Sequence, residues 1–251
     1  MKKWYESIFD ELYLEIYGPQ GDPYNKEEAE NIMKLLGLSP GDSILDLGCG
    51  YGRHCLSLAQ LGLNVTGIDI SDILLKKARE EAEEHKLKIK YEHCDMRNLR
   101  YEKEFDAIIN NYQSFGFFNH DENLEVFKQV SKALKPQGKF LIEQVNLFND
   151  VITGRRNRIN YSPSKEKPNY KSVVSIHTDP YTHLQTYNWK VYNPKDELIK
   201  DVDATYYLYT IPELSRMAEQ AGLRIIKAYN DDLGEFRFVE KGMIAIYQRV
   251  I

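Results

Sequence analysis

The 251-residue sequence has no apolar run close to the roughly 20 residues that a membrane-spanning helix needs. Residues 1–6 pass directly into acidic and aromatic side chains and lack the apolar core of a secretion signal. The only cysteines are Cys49, Cys55 and Cys94, an odd number without a C-x-x-C pair, which disfavours a disulfide framework and a cysteine zinc site. These absences predict a cytoplasmic protein that contacts no membrane and holds no metal ion.

The chain also lacks a strong charge of one sign, internal repeats and low-complexity tracts. Its 33 basic and 38 acidic side chains leave a formal charge of −5, which argues against nucleic acid or an anionic membrane as the main partner. With 42% apolar and 28% charged residues, the composition is that of a globular protein. A chain of this length can bury one large domain, or one domain with an elaboration.

Strand and helix patterns alternate through the first 145 residues. Short apolar runs indicate buried strands, and longer amphipathic runs between them indicate helices. The predicted strands are 43–47, 64–69, 88–92, 105–110 and 139–145, and the predicted helices are 4–17, 26–37, 52–62, 71–85 and 121–134. Such alternation predicts a mainly parallel sheet with helices on both faces.

The pattern changes after residue 147. Residues 148–170 are polar and irregular, whereas 171–209 contain three stretches of period-two alternation, which predict antiparallel strands. A capping-box pattern at Thr210 and Glu213 opens a helix, and two more strands follow at 223–229 and 243–247. We therefore expect a helical lid segment at 1–25, a core at 26–147 and 210–251, and a β-rich insertion that covers the substrate at 148–209.

A glycine-rich turn follows the first predicted strand. Gly48, Gly50 and Gly52 let the backbone turn tightly and let a ligand approach closer than a Cβ would permit, and Asp46 precedes them. Ligands of open parallel sheets bind at the carboxyl ends of the strands, which favours a nucleotide-type site over a mere strand-to-helix turn. The dinucleotide pattern G-x-G-x-x-G fits neither register, because its third glycine would fall on an arginine or a cysteine.

Two further carboxylates follow the next predicted strands. Asp69 ends the second strand, about 20 residues after the first glycine, where a carboxylate can accept both ribose hydroxyls; the alternative is a charge that stabilises the helix beginning at Ser71. Asp95 follows the third strand, where it could accept from an adenine amino group while Met96 covers the ring; the alternative is a loop aspartate that turns the chain. The neighbouring histidine and cysteine have no partners at metal-ligand spacing.

These motifs together resemble the class I S-adenosylmethionine-dependent methyltransferases. The segments that carry the resemblance are ILDLGCGYG (44–52), VTGID (65–69), CDM (94–96) and ALKPQGKF (133–140), and it covers roughly residues 28–147. It implies an α/β fold with a doubly wound, seven-stranded, mainly parallel sheet whose last strand is antiparallel. The segment 209–214 and the strands before it resemble the small-molecule branch, whose pocket is covered by an antiparallel β insertion that forms a lid.

The resemblance also implies roles for individual residues. Gly48, Gly50 and Gly52 would flank the methionine moiety of S-adenosyl-L-methionine, and Asp46 would orient its amino group. Asp69 would hold the ribose, and Asp95 and Met96 the adenine. Asn111, at the end of the fourth strand, would face the cofactor. The remaining residues expected to bind the cofactor are Tyr17 and Ile70.

The expected activity is the transfer of a methyl group to a nitrogen or oxygen of a small molecule, with S-adenosyl-L-homocysteine as the product. Aromatic faces can stabilise a cationic methyl donor, whereas core packing is the simpler role of Trp4, Phe9 and Phe117. If the acceptor is a hydroxyl, a general base is needed; no catalytic residue is assigned, and the candidates are Glu143, His177 and His183. The residues expected to bind the acceptor are Tyr112, Phe115 and Arg155.

Three other functions stay open at this stage. A nicotinamide-dependent oxidoreductase shares the scaffold, although the missing third glycine disfavours it. A non-catalytic S-adenosylmethionine-binding protein would keep the glycine turn without an acceptor pocket. Methylation of RNA would require a salt-sensitive affinity for nucleic acid, which the acidic balance disfavours. The sequence assigns neither the acceptor nor the oligomeric state.

Overall fold

The computed structural model describes residues 4–18, 26–154, 156–161, 170–230, 232–237 and 240–250. The helices are α1 (Trp4–Ile8), α2 (Glu11–Tyr17), α3 (Lys26–Leu36), α4 (Arg53–Gln60), α5 (Asp72–Glu84), α6 (His120–Ala133), α7 (Leu147–Thr153) and α8 (Ile211–Gln220). The strands are β1 (Ser43–Leu47), β2 (Asn64–Asp69), β3 (Lys90–His93), β4 (Phe105–Asn110), β5 (Leu134–Val145), β6 (Arg156–Tyr161), β7 (Lys171–Thr178), β8 (Leu184–Tyr192), β9 (Leu198–Tyr207), β10 (Leu223–Asn230) and β11 (Gly242–Arg249).

Seven strands form one sheet in the order β3-β2-β1-β4-β5-β11-β10. Strand β11 pairs antiparallel with both of its neighbours, and the other pairings in the sheet are parallel. The fold class expected from the sequence is therefore confirmed. Because β1 lies between β2 and β4, the carboxyl ends of these strands bring Leu47, Asp69 and Asn110 to one edge of the sheet.

Apolar side chains cover both faces of this sheet. Leu45 and Ile108 point into a core completed by helices α6 and α8, whereas Ile44 and Ile109 point into a core completed by α3, α4 and α5. Both β1 residues are fully buried, which explains why this strand reads as a continuous apolar run rather than as an alternating one.

A second sheet contains the strands β6-β7-β8-β9, each antiparallel to the next. Its inner face buries Val174, Trp189 and Val191, and these pack against Ile8 and Ile16 of the two N-terminal helices. The apolar face of the N-terminal segment is therefore buried mainly against the second sheet, and this packing holds helices α1 and α2 in place.

Two local predictions were wrong. The predicted single helix over residues 4–17 is interrupted, because the Asp10 side chain accepts the Tyr13 backbone N–H at 3.1 Å and starts a new helix. Residues 148–170 are not irregular throughout, since they include most of helix α7 and all of strand β6. The Thr210–Glu213 capping box is confirmed. The longest helix in the described ranges has 14 residues, and none there could cross a membrane.

Candidate functional site

A cavity of about 410 Å³ lies at the carboxyl ends of β1, β2 and β4. Its walls come from the glycine turn, from the residues after β2, β3 and β4, and from helices α1 and α2. The predicted site residues in its lining are Tyr17, Asp46, Gly48, Gly50, Asp69, Ile70, Asp95, Met96, Asn111 and Tyr112. The fold thus brings together side chains that lie up to 95 positions apart in the sequence.

The glycine turn is held by backbone hydrogen bonds and opens toward the cavity at one position. The N–H groups of Gly48 and Cys49 both donate to the Ile68 carbonyl, at 2.9 and 3.0 Å. A Cβ on Gly48 would lie 2.9 Å from the Cβ of Ser114, whereas a Cβ on Gly50 would have its nearest neighbour 3.9 Å away. Gly50, with φ +55°, is therefore where the bare backbone faces open cavity space.

Gly52 has a different role from the one expected. It does not line the cavity, and a Cβ on it would lie 2.4 Å from the Tyr91 hydroxyl and 3.1 Å from the Cβ of Ala78. Its φ is +83°, and it is the N-cap residue of α4. The glycine at this position lets the start of α4 pack against β3 and α5 rather than against a ligand.

Asp69 links the glycine turn to the start of helix α5. One carboxylate oxygen accepts the Gly50 N–H at 2.8 Å and the other accepts the Ser71 N–H at 2.8 Å. Burial raises the pKa of this carboxyl above its usual range. A carboxylate offers about four acceptor positions, so Asp69 keeps capacity for a ligand hydroxyl beside its backbone donors, which include Ile70. Ser71 is also the N-cap residue of α5, so the alternative role of Asp69, stabilising the start of this helix, is present in the structure as well.

Asp46 lies beneath the turn and is 2% exposed. Its carboxylate accepts the Cys55 thiol at 3.5 Å, and the nearer His54 ring nitrogen is 4.0 Å away. Burial raises the pKa of Asp46. The other His54 ring nitrogen lies 3.0 Å from Glu28, so His54 connects the buried carboxylate to one on α3.

Asp95 has a protein partner that the sequence analysis missed. Its carboxylate accepts the Arg97 side-chain Nε–H at 3.0 Å and the Arg97 backbone N–H at 2.9 Å. The same guanidinium lies 4.1 Å above the Phe118 ring and pairs with Glu122. The Asp-x-Arg spacing was the available signal, because a charge two residues away can reach back within one turn.

The aromatic lining differs from the expectation in three positions. Phe9 and Phe117, expected in the core, line the cavity, although both also pack against core residues. Phe115, expected to bind the acceptor, does not line it; this ring is 2% exposed and packs against Phe127 and Tyr209. Tyr17 does line it, with its hydroxyl 2.7 Å from Ser172 of the second sheet. Arg155 lies outside the described residues.

Of the three candidate bases, Glu143 alone lies beside this region. Its carboxylate accepts the Tyr112 N–H at 3.4 Å, and burial raises its pKa. His177 is exposed on β7, and His183 pairs with Glu213 at 3.2 Å. Neither histidine contributes to the cavity lining. Across the described ranges, no group of three His, Cys, Asp or Glu side chains could hold a metal ion.

Residues 44–138 match the family model described as a methyltransferase domain. The chain carries a methyltransferase domain. The match spans the glycine turn, Asp69, Asp95 and Asn111, so the resemblance drawn from the motifs is confirmed. Strands β1 to β4 and the start of β5 fall inside it, whereas α1, α2 and the second sheet fall outside.

Relatives of this methyltransferase domain include a ubiquinone biosynthesis O-methyltransferase of Pelagibacter ubique (strain HTCC1062), 33% identical over 124 residues, or 47% of this chain and 50% of the relative. The CcbJ methyltransferase from Streptomyces caelestis superposes with a TM-score of 0.77 at 20% identity and covers 99% of this chain and 97% of its own. An amino pentose methyltransferase from Micromonospora echinaspora, solved with SAM bound, gives 0.65 at 16% identity over 89% and 91%.

The chain spans about half the length of the first of these relatives. The two solved structures share its fold along nearly their whole length, including the regions outside the family match. The architecture of helices α1 and α2 and of the second sheet is therefore not peculiar to this chain.

Proposed function

We propose that this protein transfers a methyl group from S-adenosylmethionine to a nitrogen or oxygen atom of a small molecule. The observation that carries the proposal is the arrangement around Gly50, whose bare backbone faces the cavity while its N–H is held by Asp69. The match to a methyltransferase domain favours this reading over a nicotinamide-dependent oxidoreductase.

The described residues fit an adenosyl ligand with a methionine tail. Asp69 would hold the two ribose hydroxyls, and the buried face of Met96 with Ile70 would cover the adenine. Asp46 would orient the amino group, near the glycine turn. Asn111 lies in the wall of the same cavity, at the end of β4.

Asp95 would share its carboxylate between Arg97 and the adenine. Both oxygens already accept from Arg97, so the adenine amino group would be a further donor beside the guanidinium. The Arg97 pair would fix the carboxylate in place, so that the adenine amino group meets a preoriented acceptor.

Methyl transfer is an in-line displacement, and the bound cofactor supplies an activated sulfonium methyl. The protein must align the acceptor atom and keep water away. Tyr13, Tyr17 and Phe117 line the cavity from α2 and from the loop after β4, where aromatic faces can stabilise a cation. We infer that α1, α2 and the second sheet act as a lid over the acceptor, because Tyr17 joins the two through Ser172. The three free cysteines support a reducing cytoplasmic location.

Two measurements test the proposal. Calorimetric titration should show binding of S-adenosylmethionine and S-adenosylhomocysteine but not of NADH; NADH binding alone would overturn it. Incubation of the protein with a labelled methyl donor and a pooled extract of small metabolites should then yield a labelled product. Donor binding without any labelled product would instead favour a non-catalytic binding protein.

A further inference from the structure

A second cavity, of about 370 Å³, shares part of its wall with the first. Asn111 and Tyr112 line both cavities, so the two cavities adjoin at the segment after β4. The second cavity is lined on its other sides by α3, by β5 and by β11. Apart from Asn111, none of its lining residues has a role proposed above for the cofactor.

The polar lining of this second cavity is acidic. Three carboxylates face it, from Glu27, Glu28 and Glu143, and among the described residues no lysine, arginine or histidine lines it. Its remaining walls are amide and aliphatic, from Asn31, Ile32, Leu35, Leu141, Leu233 and Ile244. A carboxylate-bearing cavity with aliphatic walls fits a small cationic group on an apolar body.

Glu28 on α3 and Glu143 on β5 differ in the side chains that neighbour their carboxylates. Glu28 lies 3.0 Å from His54 and 4.0 Å from the Arg53 guanidinium, and both of those side chains line the first cavity. The Glu143 carboxylate accepts the Tyr112 N–H at the long distance of 3.4 Å. Of the two glutamates in this cavity that are not exposed, Glu143 therefore has more capacity left for a ligand than Glu28.

Asn111 gives a second and independent indication of a ligand. Its side chain is 6% exposed, and its amide oxygen has no hydrogen-bond partner within the part of the chain that the structure describes. Buried side-chain acceptors of this kind are normally paired. An ammonium group carries three N–H donors, which could serve Glu143 and Asn111 together.

We propose that the second cavity is the binding subsite for an ammonium group of the methyl acceptor. The acceptor is then an amine-bearing small molecule that keeps this ammonium against Glu143 and Asn111 while its reactive atom lies on the first-cavity side of Tyr112. This inference rests on the proposed function, because only a methyltransferase would use the bound amine as a methyl acceptor. It adds that the substrate is an amine and that Glu143 recognises its positive charge.

The test compares two probes of nearly equal shape, cyclohexylamine and cyclohexanol, titrated by ligand-observed NMR into the protein saturated with S-adenosylhomocysteine. We expect the amine to bind about tenfold more tightly or better, as for a charge-assisted hydrogen bond in a buried site. In Glu143→Gln this preference should fall below about threefold. Glu30→Gln, an exposed position on α3 paired with Lys26, is the matched control and should keep the preference.

Equal binding of the two probes, binding of neither, or an undiminished preference in Glu143→Gln would overturn the inference. Loss of S-adenosylhomocysteine affinity in folded Glu143→Gln would also overturn it, because the cavity would then serve the methyl donor. If the variant does not fold, the probe comparison on the unchanged protein decides. Failure of the proposed function is distinguishable, since the unchanged protein would then not bind S-adenosylhomocysteine at all.

Discussion

Replacing Gly50 by alanine should separate the stability of the glycine turn from its role in binding. The residue has φ +55°, and a new Cβ would meet no atom closer than 3.9 Å. The substitution therefore adds only backbone strain to the free protein, and the free energy of unfolding should fall by about 1–2 kcal/mol. The N–H remains, so the hydrogen bond to Asp69 is kept.

The same methyl group should obstruct the ligand. It would project into the first cavity, which Gly50 lines. Crowding a close contact with the bound ligand in this way costs about 1–3 kcal/mol. This corresponds to a loss of roughly 5- to 150-fold in affinity for S-adenosylhomocysteine. Gly41→Ala is the matched control, because Gly41 also has positive φ, +98°, and no atom within 4 Å of the new Cβ, but lies away from the cavity.

Urea denaturation and calorimetric titration of both variants give the two quantities. Both variants should lose stability, and only Gly50→Ala should lose affinity. A folded Gly50→Ala protein that binds S-adenosylhomocysteine within twofold of the unchanged protein would refute the role assigned to the bare backbone at this position.

Asp69→Ala should lower the free energy of unfolding by about 2 kcal/mol, because two backbone N–H groups lose their acceptor. It should also weaken S-adenosylhomocysteine binding at least about tenfold in calorimetry. Full affinity in this variant would exclude the ribose role of Asp69. Gly52→Ala should lower the free energy of unfolding, measured by urea denaturation, by about 3 kcal/mol through backbone strain and contact with the Tyr91 hydroxyl. In a double-mutant cycle, Tyr91→Phe should recover about 1 kcal/mol of this loss. Strictly additive effects of the two substitutions would contradict the contact. Asp46→Asn should raise stability at neutral pH while weakening cofactor binding. Because the folded pKa of Asp46 lies above 3.8, its folded form holds a proton longer, so stability falls as pH rises from about 3.8 through the folded value; a stability curve of the same slope in Asp46→Asn would contradict this.

The parallel half of the fold was readable from the sequence because its strands are buried on both faces. Residues 105–110 were predicted with the observed bounds, since this apolar run stands between polar segments. The break at Asp10 was missed because an aspartate within an amphipathic run can also lie on the solvent face, and only the tertiary position of the chain decides that it caps a helix. Strand β5 begins five residues earlier than predicted, upstream of Pro136 and across an irregular pairing with β4.

The candidate site was predictable where strand ends determine position and unpredictable where loops do. Asp69 ends β2 and Asn111 follows β4, so sheet topology alone places them in one cavity. Phe115 and Phe117 lie in the loop after β4, which includes two non-glycine residues of positive φ, Tyr112 and Gln113, and strand-end position does not say which ring of such a loop faces the cavity. The second cavity had no sequence signal, because its carboxylates come from α3 and β5, more than 100 positions apart.

The cavity lined by Gly50 and Asp69 is where we propose that the adenosyl part of S-adenosylmethionine binds. A crystal structure of the protein grown with saturating S-adenosylhomocysteine tests it most directly. We predict density for the ribose within hydrogen-bond distance of the Asp69 carboxylate, with the methionine tail along the glycine turn. A structure in which this cavity stays empty at saturation, or in which the ligand lies elsewhere on the protein, would contradict the account.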